Sequence, residues 1–184
     1  MSVIDTIVLD SKDLRFLLID SLRQYSSNVI FIDGNNPYRF SINKKEFYIL
    51  IRNVHESGKN RDNPDECRIQ VNETNNFNSA IRSRSNVIVL GYLADKKVFT
   101  AWDPDIFRDR FNKKATVSAY SRFSVLERAR SQGFSIYEDS NQQRIISLKP
   151  DYLGLYLDNV TNIHQLNEAE LLSLIIASDK HSEN

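Results

Sequence analysis

Apolar positions along the chain switch repeatedly between helical and strand spacing, which divides the sequence into short elements. Leu14, Leu18 and Leu22 recur at helical spacing behind Asp10, a candidate N-cap, and predict a helix that ends near Tyr25. Short apolar or alternating runs follow, separated by turn residues, and these runs are typical of strands. The predicted strands span 29–32, 38–42, 46–52, 67–71, 87–93, 98–102, 115–120, 134–137 and 144–148.

Helical patterns recur between and after these strands. The predicted helices span 77–81, 103–111, 122–132, 150–160 and 167–177, and Gly133 is a natural C-cap for the third of them. Strands with short connections favour antiparallel order, and the interrupting helices favour a sheet that closes on itself wholly or in part. The sequence therefore predicts an α+β fold with an antiparallel β-barrel-like sheet (a pseudobarrel) of about seven strands, flanked by short helices.

Composition and charge exclude some classes of protein. The 184 residues include 24 basic and 24 acidic side chains, so the chain is not a general polycation, although a local basic face could still bind DNA. The single cysteine, Cys67, excludes a disulfide within the chain and is predicted to be a small core residue. No leader pattern and no long apolar run is present, so we expect a cytoplasmic protein without a membrane span.

The stretch from Ile49 to Val71 carries the most informative polar pattern. Two predicted strands flank a loop of about a dozen residues whose Gly58 and Pro64 disfavour regular structure, and long loops in compact domains are often functional. His55, Lys59, Arg61 and Arg68 lie in or beside this loop, and such groups suit phosphate and base-edge hydrogen bonds. The alternative is an ordinary solvated surface loop.

Three polar clusters lie in the predicted loops between strands and helices. A rigid sheet would hold such loops at the surface, where they can contact a partner. Arginine can pair with guanine, asparagine with adenine, and lysine or serine with phosphate. The candidate DNA-binding residues are His55, Lys59, Asn60 and Arg61 in the central loop, Arg82 and Arg84 in the second cluster, and Lys113, Lys114, Ser118, Tyr120, Ser121 and Arg122 in the third. We expect the central loop and the 118–122 segment to share one face and hold duplex DNA between them. The alternative is three solvated loops.

Enzyme patterns are weaker. Asp65, Asp95 and Lys97 formally fit the PD-(D/E)xK spacing of metal-dependent nucleases, but Asp95 and Lys97 fall in a predicted hairpin turn. The three histidines lack metal-ligand spacing, and no glycine-rich phosphate loop or nucleophile elbow is present. The patterns therefore predict no catalytic residue, no metal and no cofactor.

Several short motifs carry a family resemblance. They are the run Asn63-Pro64-Asp65-Glu66-Cys67-Arg68-Ile69-Gln70, then Trp102-Asp103-Pro104, Ser118-Ala119-Tyr120-Ser121-Arg122, Gly133-Phe134 and Pro150-Asp151-Tyr152-Leu153. Over residues 29–164 the chain resembles modules attached to bacterial restriction enzymes, which precede nuclease or McrB-type motor domains. The resemblance implies the DNA-binding pseudobarrel of the plant B-three family and the EcoRII effector domain, which grips the major groove with two arms.

The combined interpretation is a module for sequence- or methylation-dependent recognition of double-stranded DNA in a bacterial restriction system. It implies duplex DNA as a partner, together with a nuclease or motor domain or subunit, and no membrane. Residues 1–165 would form the DNA-binding domain, and residues 166–184 a C-terminal helix and polar tail leading to a further domain. Two alternatives stay open: a small metal-dependent nuclease and a protein-interaction domain.

Overall fold

The computed structural model of the protein describes residues 7–58, 62–83, 85–111 and 113–182. Six α-helices and ten strands lie within these residues. The α-helices are α1 (Ser11–Tyr25), α2 (Asn75–Arg82), α3 (Asp105–Phe111), α4 (Phe123–Gln132), α5 (Leu153–Asp158) and α6 (Glu168–Ser182), and 3-10 turns span Pro150–Tyr152 and Ile163–Gln165. The strands are β1 (Val29–Asp33), β2 (Tyr38–Ile42), β3 (Lys45–Asn53), β4 (His55–Glu56), β5 (Glu66–Asn72), β6 (Asn86–Leu93), β7 (Val98–Trp102), β8 (Thr116–Arg122), β9 (Phe134–Glu138) and β10 (Arg144–Leu148).

The strands form two sheets. The large sheet has seven strands in the order β1-β2-β3-β6-β7-β10-β9, and the small sheet has three in the order β4-β5-β8. Within the large sheet β3 and β6 run parallel, with Phe47 beside Asn86, whereas the other pairs are antiparallel. The chain leaves the large sheet after β3, builds β4, β5 and α2, and returns as β6. This crossover connection is what a parallel neighbour requires.

Two hydrophobic cores lie on opposite faces of the large sheet. The first core packs one face against α1, α5 and α6 through residues such as Leu18, Leu157 and Leu171. The second core packs the other face against the small sheet and α2, α3 and α4, with Trp102 and Phe107 among its largest members. The central strands are therefore apolar on both faces, which explains the continuous apolar run from Val87 to Leu90.

The predicted fold class, α+β, is confirmed, and the pseudobarrel description is compatible with two sheets that face each other across a core. The large sheet does not close, because β1 and β9 are its two ends. One strand pair departs from the predicted antiparallel order. β3 and β6 run parallel, because the chain passes through the small sheet between them and re-enters the large sheet in the same direction. The division of the chain at residue 165 stays a prediction; α6 packs on the first core through Leu171 and Ile175.

Two residues with reactive side chains have structural roles. Cys67 is fully buried in the second core, as predicted, and burial followed by nearby Asp65 and Glu66 raises the pKa of its thiol to about 12. His164 is buried between the Tyr156 hydroxyl at 2.7 Å and the Arg144 carbonyl at 2.8 Å. Burial lowers the pKa of His164, which favours a neutral imidazole in this site.

In the part of the chain that the structure describes, no helix is long and apolar enough to cross a bilayer.

Gly91 permits the close approach of the two sheets. A Cβ at this position of β6 would lie 2.7 Å from Val54 Cγ2, 2.9 Å from Ile69 Cγ2 and 3.0 Å from Thr100 Cγ2. These methyl groups belong to β-branched side chains, which have little rotamer freedom, so the sheets themselves would have to separate. We expect Gly91→Ala to lower the free energy of unfolding by about 1–2 kcal/mol in urea denaturation. Unchanged stability would show that the sheets can separate without cost.

Candidate nucleic-acid interface

The small sheet presents a polar outer face. Along β8 the side chains of Val117, Ala119 and Ser121 are buried in the second core or beside it, whereas alternate residues point outward. Strand pairing aligns the outward residues in rows: His55, Arg68 and Tyr120; Gln70 and Ser118; Glu66 and Arg122; Asn72 and Thr116. Three strands thus display one continuous surface of hydrogen-bonding groups. This surface is called the outer face below.

Side chains, not another strand, cover the free edge of β8 in the described part of the chain. The indole nitrogen of Trp102 donates to the Tyr120 carbonyl at 2.9 Å, and Arg110 Nη1 donates to the Ser118 carbonyl at 3.3 Å. These bonds satisfy backbone acceptors that an edge strand would otherwise leave open. They also hold Arg110, from α3, directly beside the outer face.

A basic hollow of about 360 Å³ lies at the end of this edge. Its lining includes three cationic side chains and three hydroxyl groups: Arg110, Lys113, Lys114, Thr116, Ser118 and Tyr120. None of the described residues that line it is acidic. The two lysines follow the last turn of α3, where their backbone N–H groups both donate to the Arg110 carbonyl. A concave surface with three cations and adjacent hydroxyl groups suits a phosphate.

A larger cleft of about 430 Å³ opens beside the hollow, between β8 and the β9–β10 hairpin. Arg110 and Tyr120 line both depressions, so the two adjoin each other. Trp102, Ile106, Ala119 and Ile145 contribute apolar surface to the cleft. The polar lining comes from side chains such as Arg122, Tyr137, Asn141 and Gln143, and it includes the carboxylates of Glu66 and Asp139. The cleft therefore combines apolar and polar groups, and its exposed lining is more polar than apolar.

Arg122 is held in place at the mouth of this cleft. Its guanidinium carbon lies 5.1 Å from the centre of the Tyr137 ring, which is a cation–π distance. A hydrogen bond to Tyr137, followed by the charges of Asp65 and Glu66, raises the pKa of Arg122, so this side chain carries a full positive charge. Because its position is set by the ring, less conformational freedom is lost when it binds a partner.

Eleven of the twelve predicted site residues separate into three groups. Lys113, Lys114, Ser118, Tyr120 and Arg122 are brought together with His55 on the outer face, the hollow and the mouth of the cleft. Arg82 is exposed at the end of α2 and lines neither depression. Lys59, Asn60, Arg61 and Arg84 lie outside the described residues.

Ser121 requires a correction. Its side chain is only 1% exposed and points inward from β8, so it cannot contact DNA on the outer face. The alternation of β8 puts Ser121 in phase with Val117 and Ala119, whereas Ser118, Tyr120 and Arg122 fall on the opposite face. That alternation was available in the sequence and distinguishes Ser121 from its neighbours.

The geometry does not favour the nuclease alternative. Both carboxylate oxygens of Asp65 accept hydrogen bonds from Ser124, one from its backbone N–H at 2.8 Å and one from its hydroxyl at 2.6 Å. Asp65 therefore caps the first turn of α4 from a distant part of the sequence. Asp95 and Lys97 are exposed in the β6–β7 turn. Among the described residues, no three His, Cys, Asp or Glu side chains are grouped so that they could hold a metal ion.

Sequence reasoning missed Arg110 and Tyr137. Arg110 lies in the mixed-charge helix Asp105–Phe111, whose pattern is that of an ordinary solvated helix. Tyr137 belongs to a hairpin strand in which an aromatic residue is expected for packing alone. No local signal marks either residue, because each becomes part of the site only when α3 and the β9–β10 hairpin pack beside β8.

A comparison with protein-family models identifies the family of this chain. The family model described as Methylase-associated X1 matches residues 45–157, more than half of the 184 residues. The chain belongs to the Methylase-associated X1 family. The family's description links it to methylases and thereby to restriction-modification systems. The Methylase-associated X1 match begins at β3 and ends in α5, so it includes the small sheet, the hollow and the cleft. No curated protein and no solved structure matches the chain significantly.

Proposed function

We propose that this Methylase-associated X1 protein is a double-stranded DNA recognition module of a bacterial restriction-modification system. The observation that carries the proposal is the basic hollow, where Arg110, Lys113 and Lys114 converge beside the polar outer face. Cations of this kind fix the position of a duplex through its phosphates, and neighbouring polar groups can then reach base edges. The neutral net charge is compatible with a local binding face, because a cationic patch can exist on a chain whose charges balance overall.

In this arrangement the hollow holds the phosphate backbone and the outer face lies along a groove. His55, Arg68, Gln70 and Arg122 are the outward groups capable of base-edge contacts. Lys59, Asn60 and Arg61 stay predicted contacts and lie outside the described residues. We further propose that DNA recognition serves a methylase, nuclease or motor subunit of the same system, in keeping with the family's description.

The decisive experiment is selection from a random duplex library, with and without cytosine methylation, followed by binding measurements across salt concentrations. We expect an enriched duplex whose binding constant falls steeply with salt. In the double variant Lys113→Ala/Lys114→Ala, two phosphate contacts are removed, so the slope of log K against log salt should fall by about two units for every duplex tested.

Lys12→Ala is the matched control, because Lys12 is exposed on α1, across the large sheet from the hollow. It should leave both affinity and slope unchanged. If the parent and the double variant show equal slopes of log K against log salt, the hollow does not contact DNA. If the parent shows no salt-sensitive binding to any selected duplex, DNA recognition itself is wrong.

A protein-interaction role is the second candidate, and one observation favours it. The outer edge of β1 pairs with no strand among the described residues, and Ile30, Phe31 and Ile32 are 56%, 40% and 39% exposed there. Exposed apolar edge strands can add a strand from another chain. The two candidates are separated by the same titration, because only the DNA module shows salt-sensitive duplex binding.

A further inference from the structure

We propose that the cleft between β8 and the β9–β10 hairpin receives a single base extruded from the bound duplex. This inference rests on the proposed function and names the part of the DNA that the cleft would take. The cleft volume of about 430 Å³ falls within the common range of small-ligand sites, about 300–1,000 Å³. A side-chain contact with a groove would need no such concavity, whereas an unstacked base needs an enclosed site of its own.

The walls of the cleft offer flat surfaces for stacking. Tyr120 and Tyr137 both line it, and the planar guanidinium of Arg122 lies against the Tyr137 ring. Bases that leave the helical stack are commonly held against aromatic rings or arginine planes, which replace the lost base stacking. Trp102 also lines the cleft, but it is almost fully buried and is held by its hydrogen bond to the Tyr120 carbonyl, so it supports the wall and offers little surface for stacking.

The polar groups of the cleft suit the edge of a base. Asn141 and Gln143 belong to a turn in which both backbone N–H groups donate to Asp139 Oδ1, at 2.8 and 2.9 Å. This turn is therefore fixed, and it presents two amide side chains at the cleft. Ser121 also lines the cleft, and its buried hydroxyl has no hydrogen-bond partner in the described part of the chain. A buried polar atom without a partner is costly, and a ligand could satisfy it.

The hollow places a phosphate site next to the cleft. Arg110 and Tyr120 line both, so a nucleotide whose base enters the cleft would keep its own backbone beside Lys113 and Lys114. The cations of the hollow would hold the phosphate of a nucleotide, and the stacking surfaces of the cleft would hold its base. The adjoining cationic hollow distinguishes the cleft from the depression near Asp103 and Asp105, where the nearby Arg108 is already paired with Asp105 at 2.7 Å.

The test uses the selected duplex with 2-aminopurine substituted at each position in turn, because this base becomes more fluorescent when it leaves the stack. With the full chain bound, we expect a several-fold rise at one position and little change at the others. A mismatch at that position should tighten binding by the parent several-fold, since an unpaired base is easier to extrude.

Tyr137→Leu removes a stacking surface, and Tyr137→Phe is its matched control because it keeps the ring. Tyr137→Leu should abolish the fluorescence rise and weaken binding by about tenfold while leaving the salt slope unchanged. Tyr137→Phe should retain the rise. Thermal melts of both variants establish that they fold, and the mismatch measurement on the parent requires no variant.

The outcomes separate this inference from the proposed function. If the parent binds the selected duplex with a steep salt dependence but no position becomes fluorescent, or if Tyr137→Leu keeps the full rise, the extrusion inference is wrong and DNA recognition stands. If no duplex binds, both are wrong. A mismatch that leaves binding unchanged at the reporting position also overturns the inference.

The single tryptophan distinguishes an extruded base from a free nucleotide. Trp102 is the only tryptophan in the chain and lines the cleft, so its fluorescence reports what enters. We expect the selected duplex to change this fluorescence at low concentration, and free nucleoside monophosphates to leave it unchanged. If a nucleoside monophosphate binds tightly and no 2-aminopurine duplex becomes more fluorescent, the cleft binds free nucleotides and the inference is wrong.

Discussion

The Ile49→Asp variant is expected to lose its cooperative fold at room temperature. Ile49 is fully buried in the first core, and β3 joins the antiparallel β2 on one side to the parallel β6 on the other. A carboxylate there would lie among apolar side chains, and the substitution also removes an isoleucine from the core. The cost should reach several kcal/mol, comparable to the whole stability of a marginal domain. Urea denaturation followed by circular dichroism measures the loss.

Ile30→Asp is the matched control for this substitution. It introduces the same charge into a strand of the same sheet, but Ile30 is 56% exposed at the edge strand β1. We expect its stability to stay within about 1 kcal/mol of the parent, since a surface carboxylate remains hydrated. An Ile49→Asp variant that melts with the parent would mean that β3 has a different register, with Phe47, Ile49 and Ile51 facing away from the core.

The Arg122→Ala variant is expected to lose preference at one base pair while still binding DNA. Arg122 points outward from β8, lies over Tyr137 and is opposite Glu66 in the strand pairing. A preorganised guanidinium can make a bidentate contact with guanine or stack on a base, and losing either contact should cost about 1–3 kcal/mol. Competition between the selected duplex and single-substitution duplexes measures this change.

Two variants control for charge and position. Arg122→Lys keeps the charge without the planar fork, so it should lose preference nearly as much as the alanine variant does. Arg23→Ala removes an exposed arginine from the last turn of α1, on the far side of the large sheet, and should change nothing. If Arg122→Ala weakens all duplexes equally, Arg122 contacts only phosphate, and the base-reading role belongs elsewhere on the outer face.

Local sequence patterns predict most of the individual elements. The helix expected between Asp10 and Tyr25 is α1, and the Asp10 side chain accepts from the Asp13 N–H at 2.8 Å as an N-cap does. The hairpins over residues 94–97 and 139–141 are confirmed as β6–β7 and β9–β10. These elements depend on periodicity, caps and turn residues, which act over a few positions and can therefore be recognised without tertiary information.

The candidate site was predicted only in part. Lys113, Lys114, Ser118, Tyr120 and Arg122 were identified because polar residues follow one another in a short segment. Ser121 does not belong to the outer face, because β8 extends through Arg122 and alternation along a strand turns every second side chain inward. The amino-acid composition indicates that residues 113–122 are a candidate site. Only the structure of β8 shows which of their side chains face outward.

The sequence by itself determined the α+β class, the main helices and strands, and the inward direction of Phe47, Ile49 and Ile51, because side-chain alternation and helical spacing are local properties. The tertiary structure decided which strands share a sheet. It placed β6 parallel to β3, moved β5 and β8 into a second sheet, and packed α3 and the β9–β10 hairpin beside β8. Arg110 and Tyr137 meet the outward residues of β8 only through these contacts. Such pairings depend on burying two apolar faces at once, a condition that involves residues distant in the chain and leaves no mark in any short stretch of sequence.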